Sequence, residues 1–390
     1  MSSILYMAWK YLLFNKGKTI VLIGSISLIL FLPAGLFVTV EKGGNKLTAR
    51  AESTPILVGP KGSSSDLTLN ALYFREPTLE SISFKEVSLI SETGFAYGIP
   101  LQLRHSAEEF RIVGTTLEYF DYRELNIAAG RNLAMLGECV IGANVAKALS
   151  LSVGDYIFST PAGAFDVAGT FPLKMPVVGI LEAAGNADDD VVFTDVKSTW
   201  VISGIAHGHQ DAKEVSSERG VIEQDDKNIV LNASVLSYTE ITPDNLDSFH
   251  FHGNPDEFPI DAIIVVPENK KAGILLRGRY QESEANIQMI VPLIVINDLM
   301  NTVFVVRDYI ILAGAGVAIA AFCIMSLVFA LSVRMRKREI ETIKKIGGAK
   351  QRLRGILNAE IIIVVFSGVC LAAIFTVIIS LFGDLLVMII

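Results

Sequence analysis

Three uncharged, strongly apolar runs divide the chain, at residues 19–40, 309–333 and 361–383. At 22, 25 and 23 residues each reaches the roughly 20 that a helix needs to cross a bilayer. Between the first two runs the pattern changes. Short segments rich in β-branched and aromatic residues recur between turn-forming residues at 55–58, 110–113, 156–159, 177–181, 191–193 and 262–266, which predicts strands. Ala143, Ala146 and Leu149 share one face of a helix predicted over 142–149. The reading is an integral membrane α-helical bundle of three spans, with a large mixed α+β domain at 41–308 inserted between spans 1 and 2.

Charge orients this arrangement. Residues 334–360, RMRKREIETIKKIGGAKQRLRGILNAE, carry nine Lys or Arg against Glu339, Glu341 and Glu360, and Lys10, Lys16 and Lys18 precede the first span. Basic residues next to span ends stay on the cytoplasmic side. Residues 41–308 hold 21 basic and 37 acidic residues, so the N-terminus and 334–360 are expected in the cytoplasm and the acidic domain outside. An acidic exposed domain argues against nucleic acid as a partner. Hydrophobic content of 51% and a mean hydropathy of +0.48 agree with contact to membrane lipids.

The N-terminal stretch 1–18 places Ile4, Leu5, Met7, Ala8, Tyr11, Leu12 and Leu13 alongside lysines, as in a helix lying on the cytoplasmic membrane face. A signal peptide shares a basic start and an apolar core, but the 22-residue run is longer than its apolar region and no clean cleavage site follows. Within 334–360, Ile340 and Ile343 fall at helical spacing, Gly347 and Gly348 interrupt, and Leu353, Ile356 and Leu357 resume a helical face: helix, turn, helix.

The run REIETIKKIGGAKQRLRGILNAE resembles the segment after the second span in ABC transporter permeases of the FtsX/MacB/LolC type. In the outer region, the order of a Gly130-Arg131 turn, the run CVIGANVAKALSLSVGD from Cys139 to Asp155, Phe165 to Gly169, Val178-Gly179-Ile180 and Asp190 to Thr194 is similar to the periplasmic core of MacB-type permeases. The resemblance implies a bacterial inner-membrane, multi-pass permease subunit of the mechanotransmission type, non-enzymatic itself. Its implied partners are an ABC ATPase subunit related to those of MacB or LolD, a second permease copy as homodimer or heterodimer, and a periplasmic or lipoprotein partner. It also implies that Arg338, Glu339, Ile340, Ile343, Ile346, Gly347, Gly348 and Glu360 form the coupling segment that docks on the ATPase. An FtsX-like regulator of periplasmic enzymes is the alternative that the same resemblance allows. Permeases of this type usually have four spans, so residues 384–390 read either as the start of a missing fourth span or as a continuation of the third.

The remaining motifs offer little catalysis. Gly59-Pro60-Lys61-Gly62 lacks the spacing of a phosphate-binding loop and reads as a surface turn, so no cofactor is expected to bind this chain directly and ATP belongs to the partner. Cys139 lies in the outer domain while Cys323 and Cys370 lie in spans, which leaves no exported pair for a disulfide. All five histidines lie in the outer domain, and four form the pairs His207/His209 and His250/His252. Residues at i and i+2 of an extended segment point the same way, so two such pairs could supply four nitrogens to Zn²⁺. The stretch 203–258 that contains them reads as an insertion and suggests a metal-linked envelope transport system as a further alternative.

Overall fold

The computed structural model describes residues 2–160, 172–208, 221–225, 228–231, 239–281, 286–335, 337–345 and 350–387. They form two compact units, one of Thr48–Asn297 and one of Met1–Leu47 with Asp298–Ile390.

The first unit is built on a mixed eleven-stranded sheet. Its strand order is Thr239–Glu240, Leu173–Leu181, Cys139–Ile141, Val191–Asp195, Phe110–Thr115, Ala96–Ala107, Ala262–Pro267, Ile56–Pro60, Ile287–Ile290. Strands Ile127–Gly130 and Tyr156–Phe158 also pair with Leu173–Leu181. Burial in Leu173–Leu181 alternates between buried and half-buried throughout, as expected of a strand with one face on a core. Ile56–Pro60 is buried along its whole length, so Gly59 and Pro60 belong to a strand interior; only Lys61, Gly62 and Ser63 form the exposed turn expected there. Ser63 caps the helix Ser64–Tyr73 by accepting from the amide of Asp66.

Two apolar cores sit along this sheet. One collects Ile112, Cys139, Ile141, Val145, Met175, Val177 and Val192; the other collects Ile56, Val58, Ile90, Trp200, Phe258, Ile263 and Val265. Both ends of the stretch 203–258 are sewn into these cores. Ala206 and Ile241 are buried in the first, and Phe258 stacks edge-on to Trp200 in the second at 5.0 Å. Close approach fixes one glycine in particular: a Cβ on Gly142 would lie 2.3 Å from the Asp189 carbonyl oxygen. Only glycine lets the turn after Cys139–Ile141 pass there.

The second unit is helical. Its long helices are drawn from Lys16–Glu52, Pro292–Met335 and Lys350–Val387, and among the described residues these three are long and apolar enough to cross a membrane. They extend beyond the apolar runs at both ends. The N-terminal helix Ser2–Phe14 packs against Lys350–Val387, burying Ala8 and Leu12 and bringing Ile4 against Gly355, while Leu5, Tyr6 and Trp9 remain exposed. Small residues set the helix contacts: a Cβ on Gly368 would meet Ile26 Cγ2 at 2.6 Å. Close backbone approach at glycine is how helices associate where lipid removes the hydrophobic drive between them. Phe31 and Phe375 then meet edge to face at 5.5 Å further along the same two helices.

Candidate functional site

The segment between the second and third long helices begins with the helix Lys337–Lys345, KREIETIKK, four basic residues against two acidic. It holds Arg338, Glu339, Ile340 and Ile343, and Arg338 is exposed. Its apolar residues sit three apart within an otherwise charged sequence, an arrangement that gives a helix one narrow apolar stripe. Ile346, Gly347 and Gly348 lie outside the described residues. Glu360 is placed differently from the other candidates. It lies within Lys350–Val387, 4% exposed beside buried Ala359 and one turn from Val364, so the structure assigns it to a packed helix face.

The sheet unit contains a polar joint that sequence reasoning did not reach. Arg50, in the last turn of Lys16–Glu52, donates from Nη1 to Asp188 Oδ2 at 2.7 Å and from Nη2 to Asp188 Oδ1 at 2.9 Å. Its Nη2 also donates to the Tyr119 hydroxyl at 3.0 Å, that hydroxyl donates to Asp188 at 2.8 Å, and Nε donates to the Leu72 carbonyl. Arg50, Tyr119 and Asp188 are all buried, and the guanidinium lies over the Phe74 ring at 5.2 Å. Burial alone would raise the Asp188 carboxyl; the Arg50 charge and the hydrogen bonds from Arg50 and Tyr119 outweigh it and hold the pKa below the usual carboxylate value. Burial pushes the Tyr119 hydroxyl up, which keeps it protonated and donating.

A second strap holds the residues that follow. Arg123 donates to Ser53 Oγ and Thr54 Oγ1, both at 2.8 Å, and the Tyr122 hydroxyl donates to the Ser53 carbonyl. Within the sheet unit, Arg50 thus grips the Asp188 carboxylate in fork geometry, and Arg123 holds the hydroxyls of residues 53 and 54. Such bidentate contacts define position and direction as well as attraction. The only sequence sign of this joint is one arginine nine residues after Glu41, because its partner Asp188 lies 138 residues away.

The histidines divide. Strand Ala206–Gly208 pairs antiparallel with Phe249–Phe251, setting His207 opposite His250, and the rings of His250 and His252 are 4.6 Å apart. His209 lies outside the described residues. His105 stands apart from both pairs, its Nε2 2.8 Å from Ser203 Oγ, and burial pushes its pKa down to about 4.

Residues 20–234 match the family described as the MacB-like periplasmic core domain, over half of the chain. The chain belongs to that family. It is a permease of the FtsX/MacB ABC type, and such permeases work with an ABC ATPase. The family match takes in the Arg50 joint and the Gly142 turn and stops short of His250. Among solved structures, the chain is similar to the periplasmic region of MacB from Actinobacillus actinomycetemcomitans, with 9% identity and a TM-score of 0.36 over 66% of this chain and 97% of that one. It is also similar to the extracellular domain of the noncanonic ABC-type transporter YknZ from Gram-positive bacteria, with 12% identity and a TM-score of 0.33 over 60% of this chain and 98% of that one. No curated protein matches it.

Proposed function

We propose that this chain is the membrane subunit of a mechanotransmission ABC system, in which a separate ATPase supplies the energy and the outer domain performs the work on an envelope substrate. The observation that carries the reading is the short charged helix Lys337–Lys345 lying between two helices of spanning length and composition. A helix with a narrow apolar stripe and flanking charges suits a groove on a soluble partner. Gly347 and Gly348 would let the chain turn after it, and Glu360 would brace the helix that follows.

In this account ATP-driven closure of two ATPase subunits displaces Lys337–Lys345 in each of two permease copies. The displacement travels along the long helices. Lys16–Glu52 delivers it to Arg50, which makes four hydrogen bonds to Asp188, Tyr119 and the Leu72 carbonyl within the sheet unit. Spans poor in charge offer no polar path for a solute through the bilayer, which favours transmitted motion over conduction.

Orientation and partnership are tested together. With the native cysteines replaced, a cysteine at exposed Lys61 should react with a membrane-impermeant maleimide in intact cells, and one at exposed Lys345 should react only after the membrane is opened. A cognate ABC ATPase co-expressed with this chain should co-purify with it. The reverse labelling pattern, or no association with that ATPase, would overturn the proposal.

A further inference from the structure

The N-terminal helix Ser2–Phe14 meets the helix after the proposed docking segment near its root. Its inward positions, Ile4, Ala8, Leu12 and Asn15, recur at helical spacing; Ala8 and Leu12 are buried, Ile4 and Asn15 half-buried. A Cβ on Gly355 would lie 3.3 Å from Ile4 Cδ1, so Ser2–Phe14 is seated on the second turn of Lys350–Val387. Positions in step with Gly355 along that helix are buried as well, at Ala359, Glu360 and Val364. Close-packed contacts pass strain on rather than absorb it.

The other end of Ser2–Phe14 runs into Lys16–Glu52 through a single residue, Asn15. Asn15 lies outside both helices yet bonds as a helical residue does. Its amide donates to the Tyr11 carbonyl and its carbonyl accepts from the Thr19 amide, both at 3.1 Å. Asn15 Nδ2 also donates to the Tyr11 carbonyl, at 3.2 Å. The Thr19 hydroxyl lies 3.0 Å from the Leu12 carbonyl oxygen and 3.1 Å from that of Asn15, sharing its proton between them. It thereby caps Leu12, one of the carbonyls that a helix end leaves open. The elbow is bonded on both sides.

We propose that Ser2–Phe14 is the link that carries displacement of the docking segment into Lys16–Glu52. It moves as one body with the start of Lys350–Val387 and turns the first long helix through the bonded elbow at Asn15 and Thr19. This rests on the coupling reading and adds the path to it. A helix that only lay on the lipid surface would need neither the Gly355 seat nor a bonded elbow. Its exposed Leu5, Tyr6 and Trp9 can lie in lipid while the inward stripe makes the link. Direct contacts between the two long helices lie within the apolar runs, at Ile26 on Gly368 and Phe31 on Phe375.

The test uses the full-length chain with a cognate ABC ATPase, reconstituted in lipid, with the native cysteines replaced. Spin labels at Ile20, which is exposed, in two copies report movement at the start of Lys16–Glu52 between the nucleotide-free state and ATP trapped on a hydrolysis-deficient ATPase. The expected result is a distance change in the otherwise wild-type chain that survives closing a disulfide between Ile4→Cys and Gly355→Cys. The change should fall by more than half when a flexible Gly-Ser linker is inserted after Asn15, with co-purification of the ATPase showing that this variant folds and docks. Thr19→Val, which removes only the hydroxyl bonds of the elbow, should reduce it in the same direction. A full distance change in both elbow variants, or its loss on closing the disulfide, would overturn the link and leave the coupling reading standing. No change in the otherwise wild-type chain would defeat the coupling reading, and the link with it.

Discussion

The two compact units place the same residue types on opposite sides. In the sheet unit Leu57, Ile99, Leu103 and Ile263 are fully buried, whereas in the helical unit Leu312, Phe322 and Leu327 are 65–69% exposed. The sheet unit takes its stability from removing apolar surface from water. The helical unit leaves most of its apolar surface outward, where only lipid makes it favourable, and holds together through close contacts such as Gly368 on Ile26. Polar groups invert as well. Buried charge in the sheet unit is hydrogen-bonded at Arg50 and Asp188, and the apolar run 309–333 of the helical unit carries no charge, with Arg307 before it and Arg334 after it. One chain is therefore written for two solvents, and within the sheet unit Arg50 fastens the last turn of Lys16–Glu52 to Asp188 and Tyr119.

The largest break in this contrast should come from that fastening. Arg50→Met strands the buried Asp188 carboxylate and should cost on the order of 3–5 kcal/mol. Urea unfolding followed by Trp200 fluorescence in a Trp9→Phe background measures it. Adding Asp188→Leu should recover most of the loss, because an apolar pair of similar volume replaces a buried ion pair at little cost. Next, Ile263→Ala should destabilise the sheet unit by roughly 2–5 kcal/mol, while Leu327→Ala should shift the detergent-solubilised helical unit by under about 1 kcal/mol in an SDS titration. Equal costs would mean that the outward helix face is not lipid-facing.

A smaller effect follows from His105. Its pKa is 6.5 in the unfolded chain and about 4 when folded, so between these values the unfolded state binds more protons and stability falls as pH is lowered. The loss from pH 7 to pH 5 should be on the order of 2 kcal/mol, and His105→Gln should flatten it.

Much of this architecture is legible from local pattern. The apolar runs announce the long helices, and the short β-branched run at 177–181 announces a strand that the structure extends back to Leu173. The longest strand, Ala96–Ala107, gives no such sign. It is a central strand with Ile99 to Leu103 buried in succession, and Pro100 and Arg104 interrupt its apolar pattern. The uncharged run ends at residue 40, yet the helix continues to Glu52. Gly44 lies against Met300 there, where a Cβ would meet the tip of that flexible side chain at 2.7 Å. The Arg50 joint is invisible from sequence because its members lie 69 and 138 residues away. His207 and His250 are visible as motifs, but their pairing exists only in the register of two short strands.

The central claim is that Lys337–Lys345 conveys ATP-driven force into a domain fastened through Arg50. Its most direct test is the ATPase turnover of the complex reconstituted in lipid with wild-type chain or with Ile343→Asp, which places a charge in the stripe proposed to meet the ATPase. Leaving that charge buried and unpaired should cost on the order of several kcal/mol of association. The account predicts that turnover falls at least tenfold, toward that of the isolated ATPase, while membrane insertion and the fold of the outer domain persist. Turnover equal to wild type would contradict it.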